Sequence, residues 1–260
     1  MIGSYIDLGN PLALGHPLAN GLIHCWLPLP NNRGGNRLHD LKGTATGTLA
    51  TSPSPQWVPG RGQLGALRTT DSDDKITIAA TAVTNFTVAA VVTPYAPTTL
   101  GLIIGESDTA PALYNWNDST FNFYNANNCQ SGAITTGRTY VLVGVNRDGV
   151  ERELFMDGVS QATGVAIPSM TANRIGGDDA GQGFNGIIEG CWLWNRAFSD
   201  TEARDFSIEA RLQYPTLIRR FSRRVYSFGP VAAGGGITGP LIDGRLIGGV
   251  LTKGRLVRAG

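Results

Sequence analysis

The segment Phe184-Asn185-Gly186-Ile187-Ile188-Glu189-Gly190-Cys191-Trp192-Leu193-Trp194-Asn195-Arg196-Ala197-Phe198-Ser199-Asp200-Thr201-Glu202 constrains the fold more than any other stretch of the chain. Its first half is a nearly unbroken apolar run bounded by glycine and asparagine, the pattern of a buried strand. Its second half is a helix start. Ser199 followed three residues later by Glu202 is a capping box, in which the hydroxyl accepts a backbone N–H and the carboxylate reaches back to the cap residue. The helix is expected over about residues 200–212, since Pro215 disfavours helical backbone just before it.

The rest of the chain reads as strands. Leu22 to Leu29, Phe86 to Val92, Leu102 to Gly105, Phe121 to Tyr124, Tyr140 to Val145 and Arg152 to Met156 are short apolar or β-branched runs. Asp157-Gly158 separates two of them and marks a hairpin, because both residues tolerate positive φ. The 35 glycines suit tight turns between strands, and 42% hydrophobic content is enough for a large core. We count roughly ten to twelve strands at spacings that imply an all-β, two-sheet antiparallel sandwich. One short C-terminal helix and extended N- and C-terminal arms complete the expected fold.

Several motifs carry a family resemblance. Trp194-Asn195-Arg196-Ala197-Phe198-Ser199-Asp200-Thr201-Glu202 is similar to the closing segment of laminin-G-like jelly rolls of the concanavalin A superfamily. His16-Pro17-Leu18-Ala19-Asn20-Gly21-Leu22-Ile23-His24-Cys25-Trp26-Leu27-Pro28-Leu29 resembles the opening of relatives encoded by tailed bacteriophages. Leu38-His39-Asp40-Leu41, Gly47-Thr48-Leu49 and Asp157-Gly158 fit the same pattern. Thr70-Asp71-Ser72-Asp73-Asp74 looks like the family's corner but has Thr70 and Ser72 where relatives carry Phe and Gly. The resemblance covers roughly residues 16–227. It implies a jelly-roll domain over 22–227, preceded by an arm over 1–21 and followed by a glycine-rich tail over 228–260. It further implies a structural protein of a tailed-phage virion: a capsid decoration, head-fibre or tail-associated subunit. Such a subunit is made in the host cytoplasm and has other virion proteins and copies of itself as partners. The alternative is a carbohydrate-binding adhesion module that recognises a surface glycan.

Charge is unevenly placed. Residues 1–210 hold 12 Lys/Arg and 19 Asp/Glu, a net −7, while residues 211–260 hold nine Lys/Arg against Asp243, a net +8. Arg219, Arg220, Arg223 and Arg224 lead into the tail. There Gly244-Arg245-Leu246 recurs ten residues later as Gly254-Arg255-Leu256, two apolar-basic units suited to strand addition. Arg219, Arg220, Arg223, Arg224, Arg245, Leu246, Arg255 and Leu256 are therefore the expected assembly interface, pairing with an acidic body. The arginines lack the interleaved aromatics of a nucleic-acid groove, so nucleic acid is not an expected partner. No apolar run approaches the ~18 residues of a membrane span, and the N-terminus lacks a signal-peptide pattern.

Catalytic chemistry is sparse. Glu151 and Glu153 share a strand face but lie beside the Asp157-Gly158 hairpin and read as a solvated sheet edge. No Ser–His–Asp grouping is visible, and His16, His24 and His39 read as structural. The chain is thus expected not to be an enzyme and to need no cofactor. Three widely spaced cysteines, Cys25, Cys129 and Cys191, read as small buried hydrophobes. Asp71, Asp73 and Asp74, like Asp178 and Asp179, read as turn residues bonded to their own backbone, with calcium ligation the weaker alternative. Tyr114-Asn115-Trp116-Asn117-Asp118 reads as a polar aromatic loop. Tyr114, Trp116, Asn117 and Asp118 are the candidate glycan contacts.

Overall fold

A computed structural model describes residues 12–28, 35–51, 55–61, 65–70, 74–96, 100–106, 112–116, 119–124, 129–178, 181–214 and 217. In the tail it describes strand residues 237–238, 241–242, 245–246, 250–252 and 255–257. The chain divides into two compact units, one of residues 12–218 and one joining 1–11 to 219–260.

The larger unit is a sandwich of two antiparallel sheets. One contains β1 (Leu22–Trp26), β4 (Gln56–Pro59), β5 (Gly65–Thr69), β7 (Phe86–Pro94), β11 (Tyr140–Arg147), β12 (Glu151–Met156), β13 (Val159–Val165) and β15 (Gly186–Trp194). Its order is β13-β12-β11-β7-β15-β5-β4, and β1 also pairs with β15. The other contains β2 (Arg37–Leu38), β3 (Gly47–Leu49), β6 (Ile76–Val83), β8 (Leu100–Gly105), β9 (Ala112–Trp116), β10 (Thr120–Tyr124) and β14 (Met170–Ile175), in the order β10-β9-β8-β14-β6-β3-β2. These fifteen strands exceed the ten to twelve read from the sequence. The surplus lies in short strands such as β2 and β3, too brief to show a period.

The strands β7, β11 and β15 lie at the centre of the first sheet and are buried on both faces, which is why their sequences run apolar without alternation. Their inner side chains, among them Val88, Ala90, Leu142, Cys191 and Leu193, meet Phe121, Phe123, Met170 and Ile175 of the facing sheet. Their outer side chains, Ala89, Val91, Val143, Val145, Trp192 and Trp194, form a second core under helix α1 (Asp200–Arg211) and the segment bearing Leu12 and Leu18. Leu12, Leu18 and Ala19 are fully or nearly fully buried there, so residues from 12 onward belong to the domain rather than to an extended arm.

Several sequence expectations are met. Ser199 Oγ accepts the Glu202 N–H and the Glu202 carboxylate accepts the Ser199 N–H, closing the capping box. Asp157 and Gly158 have φ of 57° and 81°, the positive values that the β12–β13 hairpin needs. Trp26, Trp192 and Leu193 are fully buried. All three cysteines are buried and free.

The tail repeat is a repeat of hairpins. β17 (Leu241–Ile242) pairs with β18 (Arg245–Leu246), and β19 (Val250–Thr252) pairs with β20 (Arg255–Val257). Leu241 faces Leu246 as Leu251 faces Leu256, so the ten-residue period is preserved in the pairing. β16 (Ile237–Thr238) adds to β19.

Candidate functional site

The outer face of the second sheet, at its β8-β9-β10 end, carries a small apolar cluster separate from the two main cores. Phe121 and Phe123 of β10 and Leu113 of β9 point into the core. Strand alternation therefore turns Thr120, Asn122, Tyr124, Ala112 and Tyr114 to the opposite face. There Leu102, Ala112 and Tyr114 form a small buried cluster of their own, with Leu100 and Tyr124 half-buried at its margin. Asn122 stands opposite Tyr114 in the β9–β10 register, and Tyr124 lies diagonal to it. The Tyr114 and Tyr124 rings meet edge to face at 5.9 Å and 89°, the arrangement favoured by the ring quadrupoles.

Polar groups run beside this pair. Gln130 Nε2 donates to Thr120 Oγ1 at 2.7 Å, and Gln130 forms a backbone bridge with Asn122 where the 129–131 segment pairs along the outer edge of β10. Asn122 is fully buried, yet its Oδ1 has no hydrogen-bond partner among the described residues. Leu102 N–H donates to the Gln182 carbonyl, and Gln182 carries a second such acceptor, Oε1. The face is thus an aromatic floor flanked by amides and hydroxyls.

This placement corrects the sequence reading in part. Tyr114 lies in the middle of strand β9 and is fully buried, so it is not an exposed loop residue. It serves as the floor on which Tyr124 rests. Trp116 ends β9 opposite Thr120 and Leu100, while Asn117 and Asp118 lie outside the described residues. Tyr124, Asn122 and Thr120 were missed, although the alternation Thr120-Phe121-Asn122-Phe123-Tyr124 carries their signal.

The other candidates resolve differently. Glu151 and Glu153 are not on a solvated edge, because β13 covers that side of β12. Glu153 is almost fully buried, accepts from Ser160 Oγ at 2.5 Å and pairs with Arg147 Nη1 at 2.9 Å. The same arginine holds Glu151 at 3.0 Å and Asp200 at 2.8 Å, which ties the hairpin to the start of α1. Asp74 accepts from the Thr70 N–H and hydroxyl at 2.7 and 2.9 Å, a turn role, whereas Asp71 and Asp73 lie outside the described residues. Asp178 accepts from the Gln182 N–H, and Asp179 lies outside. Among the described residues no three His, Cys, Asp or Glu side chains gather around a metal-sized space. Arg219, Arg220, Arg223 and Arg224 lie outside the described residues. Arg245, Leu246, Arg255 and Leu256 fall in the tail strands.

One polar constellation went unseen in the sequence. Asp40, His24 and Thr81 form a relay, with His24 Nδ1 at 2.6 Å from Asp40 Oδ2 and Nε2 at 2.9 Å from Thr81 Oγ1. Its members are 16 and 57 residues apart, so no local motif signals it.

The chain matches the family model described as the concanavalin A-like lectin/glucanases superfamily over residues 69–204, and it belongs to that family. A comparison with curated proteins returns no match. Among solved structures, a Trypanosoma rangeli sialidase in complex with sialic acid superposes with a TM-score of 0.59 at 15% identity, covering 74% of this chain and 33% of that one. The chain thus spans about a third of the sialidase. Domain 4 of AbnA, a GH43 extracellular arabinanase from Geobacillus stearothermophilus solved with arabinotriose, superposes at 0.53 and 15% identity, covering 72% of this chain and 98% of that one. The binding domain of Paraclostridial Mosquitocidal Protein 1 gives 0.53 at 10% identity, covering 73% and 52%. These likenesses establish a lectin/glucanase-type fold.

Proposed function

We propose that this domain is a non-catalytic carbohydrate-binding module whose ligand lies on the outer face of β8, β9 and β10. The observation that carries this reading is the partly buried Tyr124 braced edge to face on buried Tyr114. A fixed tyrosine offers a flat apolar surface with a polar tip, which suits a sugar ring. The arabinanase domain, which is matched over nearly its whole length, was solved with an oligosaccharide, and this supports the same class of ligand here. The non-catalytic part of the reading is supported by Glu151 and Glu153, which are tied to Arg147 and Ser160 instead of flanking a cleft. Calorimetric titration of the full chain with a panel of oligosaccharides tests it. We expect binding by at least one member, weakened about tenfold, or ~1.4 kcal/mol, by Tyr124→Ala. An absence of binding at millimolar ligand overturns the reading.

A second reading, self-assembly through the tail as in a virion subunit, is favoured by one observation. The +8 C-terminal segment pairs its apolar-basic units into two hairpins of identical register. The comparisons favour the carbohydrate reading over this one.

A further inference from the structure

We infer that the groove between α1 and the turn at Pro17–Ala19 receives the Arg-Leu units of the tail of a second copy of this chain; the inference rests on the self-assembly reading above, not on the carbohydrate one. Three observations converge on it.

The first is a groove with fixed walls. It holds about 290 Å³ between Pro17 and Leu18 on one side and Glu202, Asp205, Ile208 and Glu209 of α1 on the other, with His16 also lining it. His16 Nδ1 accepts the Leu18 N–H at 3.1 Å. Arg196 donates to the Asn20 carbonyl at 2.8 Å and pairs with Glu202 at 2.7 Å, which joins the turn to the helix start. About two helical turns further on, the Glu209 carboxylate accepts the Leu217 N–H at 3.2 Å.

The second is the way α1 divides its surface. Ala203, Phe206, Ser207 and Ala210 are buried. Arg204 and Arg211 lie on the flank towards the Asp157-Gly158 turn: Gly158 approaches the Arg204 backbone, and Arg211 pairs with Asp157 at 3.0 Å. Glu202, Asp205 and Glu209 lie on the other flank, at the groove. Between the two flanks, Ile208 and Leu212 are 55% and 58% exposed, one turn apart on the outward side. An aliphatic strip that the domain's own core leaves uncovered therefore borders the acids. Apolar side chains exposed together within a polar rim mark a protein contact.

The third is a complementary segment in the same sequence. A partner for this groove needs an aliphatic side chain for the Ile208 strip and, beside it, a guanidinium whose planar fork of N–H donors matches carboxylates. The tail supplies that pair twice, as Arg245-Leu246 and Arg255-Leu256. Residues 211–260 carry a net +8, and residues 1–210, which supply the groove's lining, carry a net −7. Exposed ion pairs contribute little individually, so the aliphatic contact supplies most of the affinity while the charges set register and choice of partner. Groove and tail are different surfaces. The contact is therefore heterologous and links copies head to tail, into rings or open chains.

Sedimentation velocity of the full chain and of full-chain variants tests this. Ile208→Ser is expected to weaken self-association at least about tenfold, and Asp205→Arg to weaken it severalfold. Both side chains are exposed, so the melting temperature should stay that of the parent. Arg245→Glu combined with Arg255→Glu should weaken association likewise. Mixing the Asp205→Arg chain with this tail variant should restore it, because each then offers the other a tail opposite in sign to its groove. Groove variants that associate like the parent overturn the inference; loss of association in the tail variant alone then leaves the self-assembly reading standing, with its acceptor elsewhere. A mixture that stays dissociated overturns the inference as well. A full chain that is monomeric at every concentration removes the self-assembly reading itself.

Discussion

His24 Nδ1 lies 2.6 Å from Asp40 Oδ2, and through its other nitrogen the same ring reaches Thr81 of the opposite sheet. The Asp40 carboxylate also accepts the backbone N–H groups of Cys25, Lys42 and Ala45 at 2.9, 3.0 and 3.2 Å. The order acid–imidazole–hydroxyl matches that of a hydrolytic triad, but the surroundings describe a clamp. The carboxylate holds the 40–45 turn against β1, the ring stacks on Trp26 at 4.9 Å, and the hydroxyl joins β1 to β6.

This clamp is expected to give way in acid. Burial pushes the Asp40 carboxyl up, but hydrogen bonds from His24 and from the Cys25, Gly43 and Lys42 backbones outweigh it and hold the group below its ordinary 3.8. A depressed folded value stabilises the protein above the unfolded value and loses that stabilisation as pH falls through the folded one. Asp40→Asn should cost about 1–3 kcal/mol at pH 7, and the gap to the parent should narrow below about pH 4. Urea melts from pH 7 to 2.5 measure this, and a gap that stays constant throughout contradicts it.

Glu189 should behave in the opposite sense. Burial raises its carboxyl above the ordinary 4.5, only partly offset by Arg61, whose Nε sits at 2.6 Å and whose Nη2 reaches the Ala210 carbonyl near the end of α1. A raised folded value makes the ionised form a burden at neutral pH, relieved as pH falls through the folded and then the unfolded value. Arg61→Ala strands a buried carboxylate and should cost about 3 kcal/mol at pH 7. At pH 4 the loss should be clearly smaller, as Glu189 takes up a proton. Equal losses at the two pH values would show that the pair is solvated.

What the sequence revealed follows from interaction range. Ser199 and Glu202 act within one helical turn, and Asp157-Gly158 within one hairpin, so their residue types alone disclose them. Continuous apolar runs such as Phe86 to Val92 disclose strands covered on both faces. Tyr114 was misplaced because Asn115, Trp116, Asn117 and Asp118 look like a loop, and only pairing with β8 and β10 makes a strand of them. Glu153 was misjudged because its burial depends on Arg147 and Ser160, brought together by the β11–β12–β13 meander. The relay of Asp40, His24 and Thr81 joins three separate strands or loops and has no local signature.

Trp192 anchors the outer core beneath α1. It is fully buried, and its ring meets Phe206 at 5.2 Å and Tyr214 at 5.1 Å. Trp192→Ala should cost about 3–5 kcal/mol, with loss of α1 packing visible in near-UV circular dichroism. A loss under about 1 kcal/mol would mean that the helix repacks onto the sheet without it.

Removal of the tail separates folding from assembly. The buried residues of the three apolar clusters run from Leu12 to Leu217, within the larger of the two compact units. The tail begins at Gly234-Gly235-Gly236, where ordering the backbone is most costly, and carries its own strand pairs within 237–257. A chain ending at residue 233 should therefore melt within about 2 °C of the full chain, a change of well under 1 kcal/mol for a domain of this size. Its sugar binding should be unaltered, because β8, β9 and β10 are intact. If the apolar-basic hairpins mediate self-association, sedimentation of the full chain should show a larger species that weakens as salt screens the contact between the basic segment and an acidic body. The shortened chain should sediment as a monomer at every salt concentration. A shortened chain that associates as strongly as the full one removes the tail from assembly, and one that fails to fold shows that the body needs it.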